Sequence, residues 1–127
     1  MAFIIAMDYD GTIVEGGAYP EEGTPQKEMV DKIKEFKSHG AEILLWTCRG
    51  KEALEKAVKL CGREGIELDA INANSPSVDN SDSMDMGGVK IYADIYVDDR
   101  SPGSIEYFLG IDVKQTCDSY NSRERFN

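Results

Sequence analysis

Apolar runs alternate with amphipathic stretches along this 127-residue chain. Short, continuous apolar runs of this kind are typical of strands that are buried on both faces of a parallel sheet. Between them, residues 26–40 and 51–65 place apolar side chains at helical spacing. The alternation predicts an α/β domain with right-handed crossovers. The four runs that we interpret as strands are residues 3–7, 41–47, 67–72 and 93–97.

The C-terminal part of the chain completes the predicted fold. A short helix is expected at 104–110, an edge strand at 112–116 and a polar tail at 117–127. With the edge strand, the sheet has five strands and is mainly parallel. The length suits one core and no linker interrupts it, so we predict a single domain over residues 1–116.

Two turn-rich segments interrupt the regular pattern. Residues 14–23 are rich in glycine and contain a proline, and residues 73–88 are polar. Segments of this composition are typical of loops. We expect both to be mobile and to be the covers available for a site at the sheet edge.

Charged and hydroxyl side chains follow the predicted strands at their carboxyl ends, where ligands bind in parallel α/β sheets. Asp8 and Asp10 follow the first strand, Thr47 ends the second, and Asp98 and Asp99 follow the fourth. A single aspartate there would serve equally well as a helix cap. Four carboxylates at one edge, however, repel one another unless a cation neutralises them. Their oxygens favour a hard ion, so we predict a Mg²⁺ site that also receives phosphate.

Several neighbouring residues are candidates to bind that phosphate. Gly11 and Thr12 directly follow the first acids, where a tight turn can aim backbone N–H groups at phosphate oxygens. The Thr47 hydroxyl and the N–H of Cys48 face the same space. Lys90 precedes the fourth strand and can offset charge on the phosphate.

Three further residues each have two interpretations. Arg49 is a phosphate ligand or an ordinary residue at the start of a helix. Asn72 and Asn74 lie where the third predicted strand ends, so they contact the substrate or form a turn. The pattern leaves these alternatives open.

Charge and cysteine content restrict the classes of partner. The formal net charge is −10, from 24 acidic and 14 basic residues. Binding to nucleic acid or to an anionic membrane needs clustered lysine and arginine, so neither is expected. Three cysteines without metal-ligand spacing indicate a reduced, cytoplasmic setting. No segment is apolar over a length that would span a bilayer.

Four motifs in this order resemble those of the haloacid dehalogenase superfamily of aspartate-nucleophile phosphohydrolases. They are DYDGT at 8–12, LLWT at 44–47, Lys90, and IYVDD at 95–99. The resemblance covers nearly the whole chain and implies a Rossmann-like three-layer sandwich. One loop and one helix fill the chain between the first two motifs, so a member without a cap domain is implied.

The resemblance also implies roles for individual residues. Asp8 would be the nucleophile and Asp10 the general acid and base, while Thr47 and Lys90 would bind phosphate. Mg²⁺ would be held by the Asp8 carboxylate, the Asp10 main-chain carbonyl and Asp98, with Asp99 binding directly or through water.

The second aspartate of the first motif bears on the substrate. Dehalogenases of this superfamily lack Asp10, because a halide leaving group needs no proton, so a phosphate ester is expected in this protein. An uncapped site suits a large substrate, or a small one covered by a neighbouring subunit. We expect a small phosphorylated metabolite. The alternative is a nucleotide or nucleic-acid 3′-phosphatase, whose fourth motif is similar to VDDR at 97–100.

A non-catalytic function is also compatible with the acids. Response-regulator receiver modules bind Mg²⁺ and carry an aspartate at the edge of a parallel sheet. In those modules the phosphorylated aspartate follows a later strand, whereas the DYD sequence of this chain follows the first strand. The hydrolase interpretation is therefore favoured.

Overall fold

A computed structural model of the chain describes residues 1–79 and 88–123. Strands and helices alternate through most of the chain, as the sequence pattern predicts. In order they are β1 (Ile4–Met7), α1 (Lys27–Ser38), β2 (Glu42–Leu45), α2 (Lys51–Arg63), β3 (Ala70–Ile71), α3 (Pro76–Asp79), β4 (Ile95–Val97), α4 (Ser104–Gly110) and α5 (Val113–Asn121).

The strands form one parallel sheet in the order β3-β2-β1-β4. Strand β1 is buried along its whole length and pairs with β2 on one side and β4 on the other. Met7 is level with Leu45 of β2 and with Val97 of β4. The predicted α/β class and the parallel sheet are confirmed, with β1 in the interior.

The predicted fifth strand at 112–116 is wrong, and the sheet of the described residues has four strands. This segment opens helix α5 instead. The Asp112 side chain caps the helix by accepting a hydrogen bond from the N–H of Gln115, at 2.8 Å. Val113 and Cys117 are both buried, because four-residue spacing places them on one face of the helix. An N-cap followed by this spacing was the signal for a helix.

Helix α5 also takes in residues 117–121, which the sequence pattern assigns to a polar tail. Tyr120 explains why this part is helical. Its ring packs edge-on against Phe3, with 4.8 Å between the ring centroids. The helix therefore closes over the start of β1, and residues 124–127 lie outside the described part of the chain.

The two faces of the sheet are covered unequally in the described residues. Helices α1, α2, α4 and α5 all contribute buried side chains to the core on one face. On the other face, Val78 of α3 and Ile91 cover Ile4, Ala6 and Leu44. Connections between parallel strands are right-handed, so the direction in which the chain moves across the sheet decides which face the connection covers. The chain moves in one direction from β1 to β2 and β3 and in the opposite direction from β3 to β4. The last connection therefore crosses the opposite face.

The two predicted loops have different outcomes. The expected loop 73–88 contains helix α3, and the rest of that prediction falls in part on residues 80–87, outside the described residues. The 14–23 segment is irregular, as predicted, and is tied to the domain. The Tyr9 hydroxyl donates to the carbonyl of Glu22 at 2.6 Å, and the N–H of Glu15 donates to the carbonyl of Thr24 at 2.9 Å.

None of the helices in residues 1–79 and 88–123 has the length and apolar character needed to cross a bilayer. The three cysteines are free thiols; Cys61 and Cys117 are buried and Cys48 is exposed.

Candidate functional site

Three carboxylates meet at the carboxyl edge of the sheet. Asp8 and Asp98 each lie one residue beyond the paired residues Met7 and Val97, so they continue the same register. The N–H of Asp8 donates to the carbonyl of Val97 at 2.9 Å, which extends the ladder to this level. One carboxylate oxygen from each of Asp8, Asp98 and Asp99 lies within 4.8 Å of the others. We call these three residues the acidic cluster.

Thr12 links two members of the acidic cluster. Its buried hydroxyl donates to Oδ2 of Asp8 and accepts from the N–H of Asp99, each at 3.1 Å. Its backbone N–H donates to the carbonyl of Tyr9, also at 3.1 Å. The structure therefore places Thr12 behind the carboxylates, where it orients them, and gives its N–H and hydroxyl partners other than a phosphate.

Asp98 is fixed by its own loop. Its N–H donates to Oγ of Ser104 at 3.0 Å, and that hydroxyl donates to the Asp98 carbonyl at 2.8 Å. The N–H of Arg100 donates to Oδ1 of Asp98 at 2.9 Å. These bonds connect the metal-ligand candidate to the start of helix α4.

Glycine is required at position 11, where the Asp99 side chain approaches the turn that follows Asp8. Its φ angle is +79°, which only glycine adopts without cost. A Cβ atom at this position would lie 2.2 Å from Oδ2 of Asp99. Glycine thus lets the acidic cluster close against the turn that follows Asp8.

The acidic cluster has the electrostatics of a cation site. Burial, and then the negative charge of Asp98, raise the pKa of Asp8 to about 6. No lysine or arginine in the described residues forms an ion pair with Asp8, Asp98 or Asp99. A set of three carboxylate ligands without a protein cation fits a hard divalent ion such as Mg²⁺.

Asp10 has a different environment, although it follows Asp8 by only two residues. Its carboxylate accepts two hydrogen bonds from Arg49, from Nε at 2.8 Å and from Nη2 at 2.7 Å. This bidentate pair neutralises the carboxylate, which is not a member of the acidic cluster. The resemblance assigns only the Asp10 main-chain carbonyl to the metal, and that assignment remains a prediction.

Arg49 is a buried structural cation with 3% of its surface exposed, and its predicted phosphate contact stays a prediction. Besides its bonds to Asp10, it donates to the carbonyls of Pro20, Glu21 and Ala53 at 2.6 to 3.2 Å. All five of its N–H donors are therefore used. The guanidinium carbon also lies 4.8 Å from the ring centroid of Tyr9 and 5.3 Å from that of Tyr19.

The end of β2 contributes a hydroxyl to the site. The Thr47 hydroxyl accepts from the N–H of Arg49 at 3.1 Å, which leaves its own proton available as a donor. The N–H of Thr47 donates to Oδ1 of Asn72 at 2.8 Å. Asn72 has a φ angle of +51°, so it is a turn residue that also fixes the end of β2. This is the second of its two predicted interpretations.

Two predicted ligands are not among the residues that surround the acidic cluster. Asn74 accepts from the N–H of Tyr92 at 2.6 Å through Oδ1 and so ties two loop segments together. Lys90 is exposed, and its ammonium nitrogen lies 5.3 Å from the ring centroid of Tyr96. The predicted substrate contact of Asn74 and phosphate contact of Lys90 remain predictions.

A cavity of about 460 Å³ opens between the strand ends and the 14–23 segment. Sequence reasoning missed three of its lining residues, Gly16, Gly17 and Arg100. The only signals for them were glycines in a loop and a basic residue next to the acids. The full lining consists of Asp8, Asp10, Gly11, Gly16, Gly17, Thr47, Cys48, Asp98, Asp99 and Arg100.

Comparisons with known proteins support the fold. No protein-family model matches the sequence, and no curated protein matches it. A solved structure of a conserved protein from Bacteroides thetaiotaomicron is similar, with a TM-score of 0.69 and 29% sequence identity. The match covers 99% of this chain and 95% of that protein. The α/β architecture described above is therefore shared over essentially the full length of both chains.

Proposed function

We propose that this protein is a Mg²⁺-dependent phosphohydrolase that cleaves phosphate monoesters, with Asp8 as the nucleophile. The acidic cluster carries the proposal. It gathers three carboxylates around one point beside a cavity, and no protein cation pairs with them in the described residues. The motif resemblance to the haloacid dehalogenase superfamily agrees with this chemistry.

The acidic cluster fits the cation, because its donors are all oxygen and their charges are uncompensated. Asp8, Asp98 and Asp99 would hold the ion. When bound there, Mg²⁺ supplies positive charge that offsets the charge of a phosphoryl group. The residues of the chain perform the remaining chemistry.

In the first step, a carboxylate oxygen of Asp8 attacks the phosphorus atom and the bond from phosphorus to the ester oxygen breaks. Asp10 lines the same cavity and takes part in this step in its protonated form, with one of its oxygens released from Arg49. It gives its proton to the departing oxygen, so the alcohol leaves neutral. The Thr47 hydroxyl donates a hydrogen bond to a phosphoryl oxygen. The products are an aspartyl-phosphate on Asp8, the free alcohol and an ionised Asp10.

In the second step, Asp10 acts as the base. Its carboxylate takes a proton from a water molecule, which attacks the phosphorus and breaks the bond to the Asp8 oxygen. Inorganic phosphate leaves, and both carboxyl groups return to their starting states. Arg49 holds the ionised Asp10 carboxylate in one orientation through its bidentate pair, so it is a positioning residue for this second step.

Size and charge favour a small phosphorylated metabolite as substrate. Among the described residues that line the cavity, Arg100 is the one lysine or arginine. With a net charge of −10 on the chain, a nucleic-acid strand would be repelled along most of its length. A single phosphate group needs much less positive charge.

The proposal is tested by phosphate release from a panel of sugar and nucleotide phosphates, with Mg²⁺ or with EDTA. We expect Mg²⁺-dependent turnover that Asp8→Asn and Asp10→Asn each abolish. Asp31→Asn is the matched control, because Asp31 forms an exposed ion pair with Lys27. Full turnover by either active-site variant would refute the catalytic role of the aspartate that it replaces. Mg²⁺ binding without turnover of any ester would favour the receiver-like module.

A further inference from the structure

The register of the sheet places an aromatic side chain next to the nucleophile. Trp46 follows Leu45, and its N–H donates to the carbonyl of Met7 at 2.8 Å, one level beyond the last paired residues. Trp46 and Asp8 therefore succeed the paired residues Leu45 and Met7 on adjacent strands. Because side chains alternate along a strand, both point towards the sheet face that carries Ala6.

Trp46 is unusually placed for a large apolar residue. It is the single tryptophan of the chain, and 37% of its surface is exposed. The apolar residues before it in β2 are fully buried. An indole left open beside a charged site is not explained by the packing of the core.

A second cavity joins Trp46 to the site already described. It has a volume of about 230 Å³ and is lined by Asp8, Trp46, Thr47, Cys48 and Asp98. Four of these residues also line the larger cavity, so the two cavities are adjacent parts of one opening. A phosphoryl group at Asp8 would place the rest of its ester within reach of the indole.

We propose that Trp46 is a stacking platform that selects phosphate monoesters carrying a planar aromatic group. This inference rests on the proposed phosphohydrolase function and names its substrate class. Aromatic rings and nucleobases stack on indole because both surfaces are flat and poorly hydrated. A nucleoside monophosphate and an aryl phosphate share this chemistry, whereas a sugar phosphate lacks the ring.

The kinetic test compares a nucleoside 5′-monophosphate and phenyl phosphate with ribose 5-phosphate in the presence of Mg²⁺. We expect kcat/KM for at least one aromatic ester to exceed that for ribose 5-phosphate by about tenfold, since base stacking is typically worth about that much. The Trp46→Ala variant should lose this ratio, and Trp46→Phe should keep most of it. The aromatic ester whose kcat/KM depends most on Trp46 shows whether the preferred ring is a nucleobase or a simple aryl group.

Tyr107→Ala is the matched control, because Tyr107 is another exposed aromatic residue, at 63%, and it lines a different cavity beside Ile95. It should leave the ratio unchanged. Equal kcat/KM for all three esters in the wild-type protein would overturn the role of Trp46. A ratio that survives in Trp46→Ala would overturn it as well.

A binding measurement separates this inference from the proposed function. In Asp10→Asn, whose acidic cluster is intact, Trp46 fluorescence should be quenched by the preferred aromatic ester and not by ribose 5-phosphate. Quenching without any hydrolysis by the wild-type protein would support the platform and refute the phosphohydrolase. Hydrolysis of ribose 5-phosphate without quenching by either aromatic ester would refute the platform alone.

Discussion

Replacing Asp8 by asparagine should stabilise the metal-free protein at neutral pH while it abolishes function. Burial and the charge of Asp98 raise the pKa of Asp8 from its ordinary value of 3.8 to about 6 in the folded protein. The folded state therefore binds this proton more tightly than the unfolded state does. The stabilisation is full below pH 3.8 and is lost as the pH rises through 6, so at pH 7 the ionised carboxylate destabilises the fold.

The size of the effect follows from the same shift. A rise from 3.8 to about 6 corresponds to about 3 kcal/mol at 1.36 kcal/mol for each pKa unit. Asp8 is only half-buried, so solvent screening reduces this to about 1 to 2 kcal/mol. Asparagine has nearly the same shape, and its side-chain oxygen can still accept the hydrogen bond from Thr12.

Urea unfolding with EDTA at pH 7 measures this gain, and the difference from the wild-type protein should shrink towards pH 4. Adding Mg²⁺ should stabilise the wild-type protein and have much less effect on Asp8→Asn. Asp31→Asn should change the free energy of unfolding by less than about 0.5 kcal/mol under every condition. If Asp8→Asn is less stable than the wild-type protein in EDTA at pH 7, the electrostatic reasoning fails.

Three further substitutions test how the site is held together. Gly11→Ala should cost about 1 to 3 kcal/mol and weaken Mg²⁺ binding in calorimetry, because the φ angle is +79° and the added Cβ displaces Asp99; an unchanged Mg²⁺ affinity would contradict this. Thr12→Val should cost about 1 to 3 kcal/mol in urea unfolding by leaving a carboxylate and an N–H without their shared hydroxyl, and Thr12→Ser should restore the wild-type value. Arg49→Ala should cost about 3 to 5 kcal/mol, because it leaves the Asp10 carboxylate and three carbonyls without their donor. Arg49→Lys should recover part of that stability and show a lower kcat, and a variant with wild-type stability and kcat would refute the positioning role.

The acidic cluster was predictable from the sequence because its placement depends on local order. Asp8 and Asp98 directly follow apolar runs, Asp99 comes next to Asp98, and parallel strands bring their carboxyl ends to one edge. Once strands β1 and β4 are paired, their register places Asp8 level with Asp98, so no other long-range contact has to be known. The same rule located Thr47, whose side chain lines the cavity.

The C-terminal segment shows where local patterns are insufficient. Residues 112–116 contain one strongly apolar side chain, Val113, in a length that fits a strand or one turn of a helix. The choice depends on Asp112 as a cap and on packing of Cys117 and Tyr120 against distant parts of the core. Short segments of this kind are decided by tertiary contacts.

The partners of Arg49 could not be predicted for a related reason, since they are far away along the chain. It is separated by 39 residues from Asp10 and by 28 from Glu21. No spacing rule joins an arginine after one strand to an acid after another, or to the backbone of a loop. Its burial could be seen only once the 14–23 segment was folded over the end of β2.

The two acids of the DYD sequence are only two residues apart, but their side chains have different electrostatic environments. Asp8 faces other carboxylates and has no ion-pair partner in the described residues, whereas Asp10 accepts two bonds from a buried arginine. The two carboxyl groups therefore have contrasting electrostatic environments, which is a condition for the different roles that they have in the proposed reaction. The protein thus supplies a positive charge to Asp10 through Arg49, whereas no lysine or arginine of the described residues pairs with the acidic cluster. Under the proposed function, removing Mg²⁺ should change the interactions of the three carboxylates in the acidic cluster. The ion pair between Asp10 and Arg49 should stay intact.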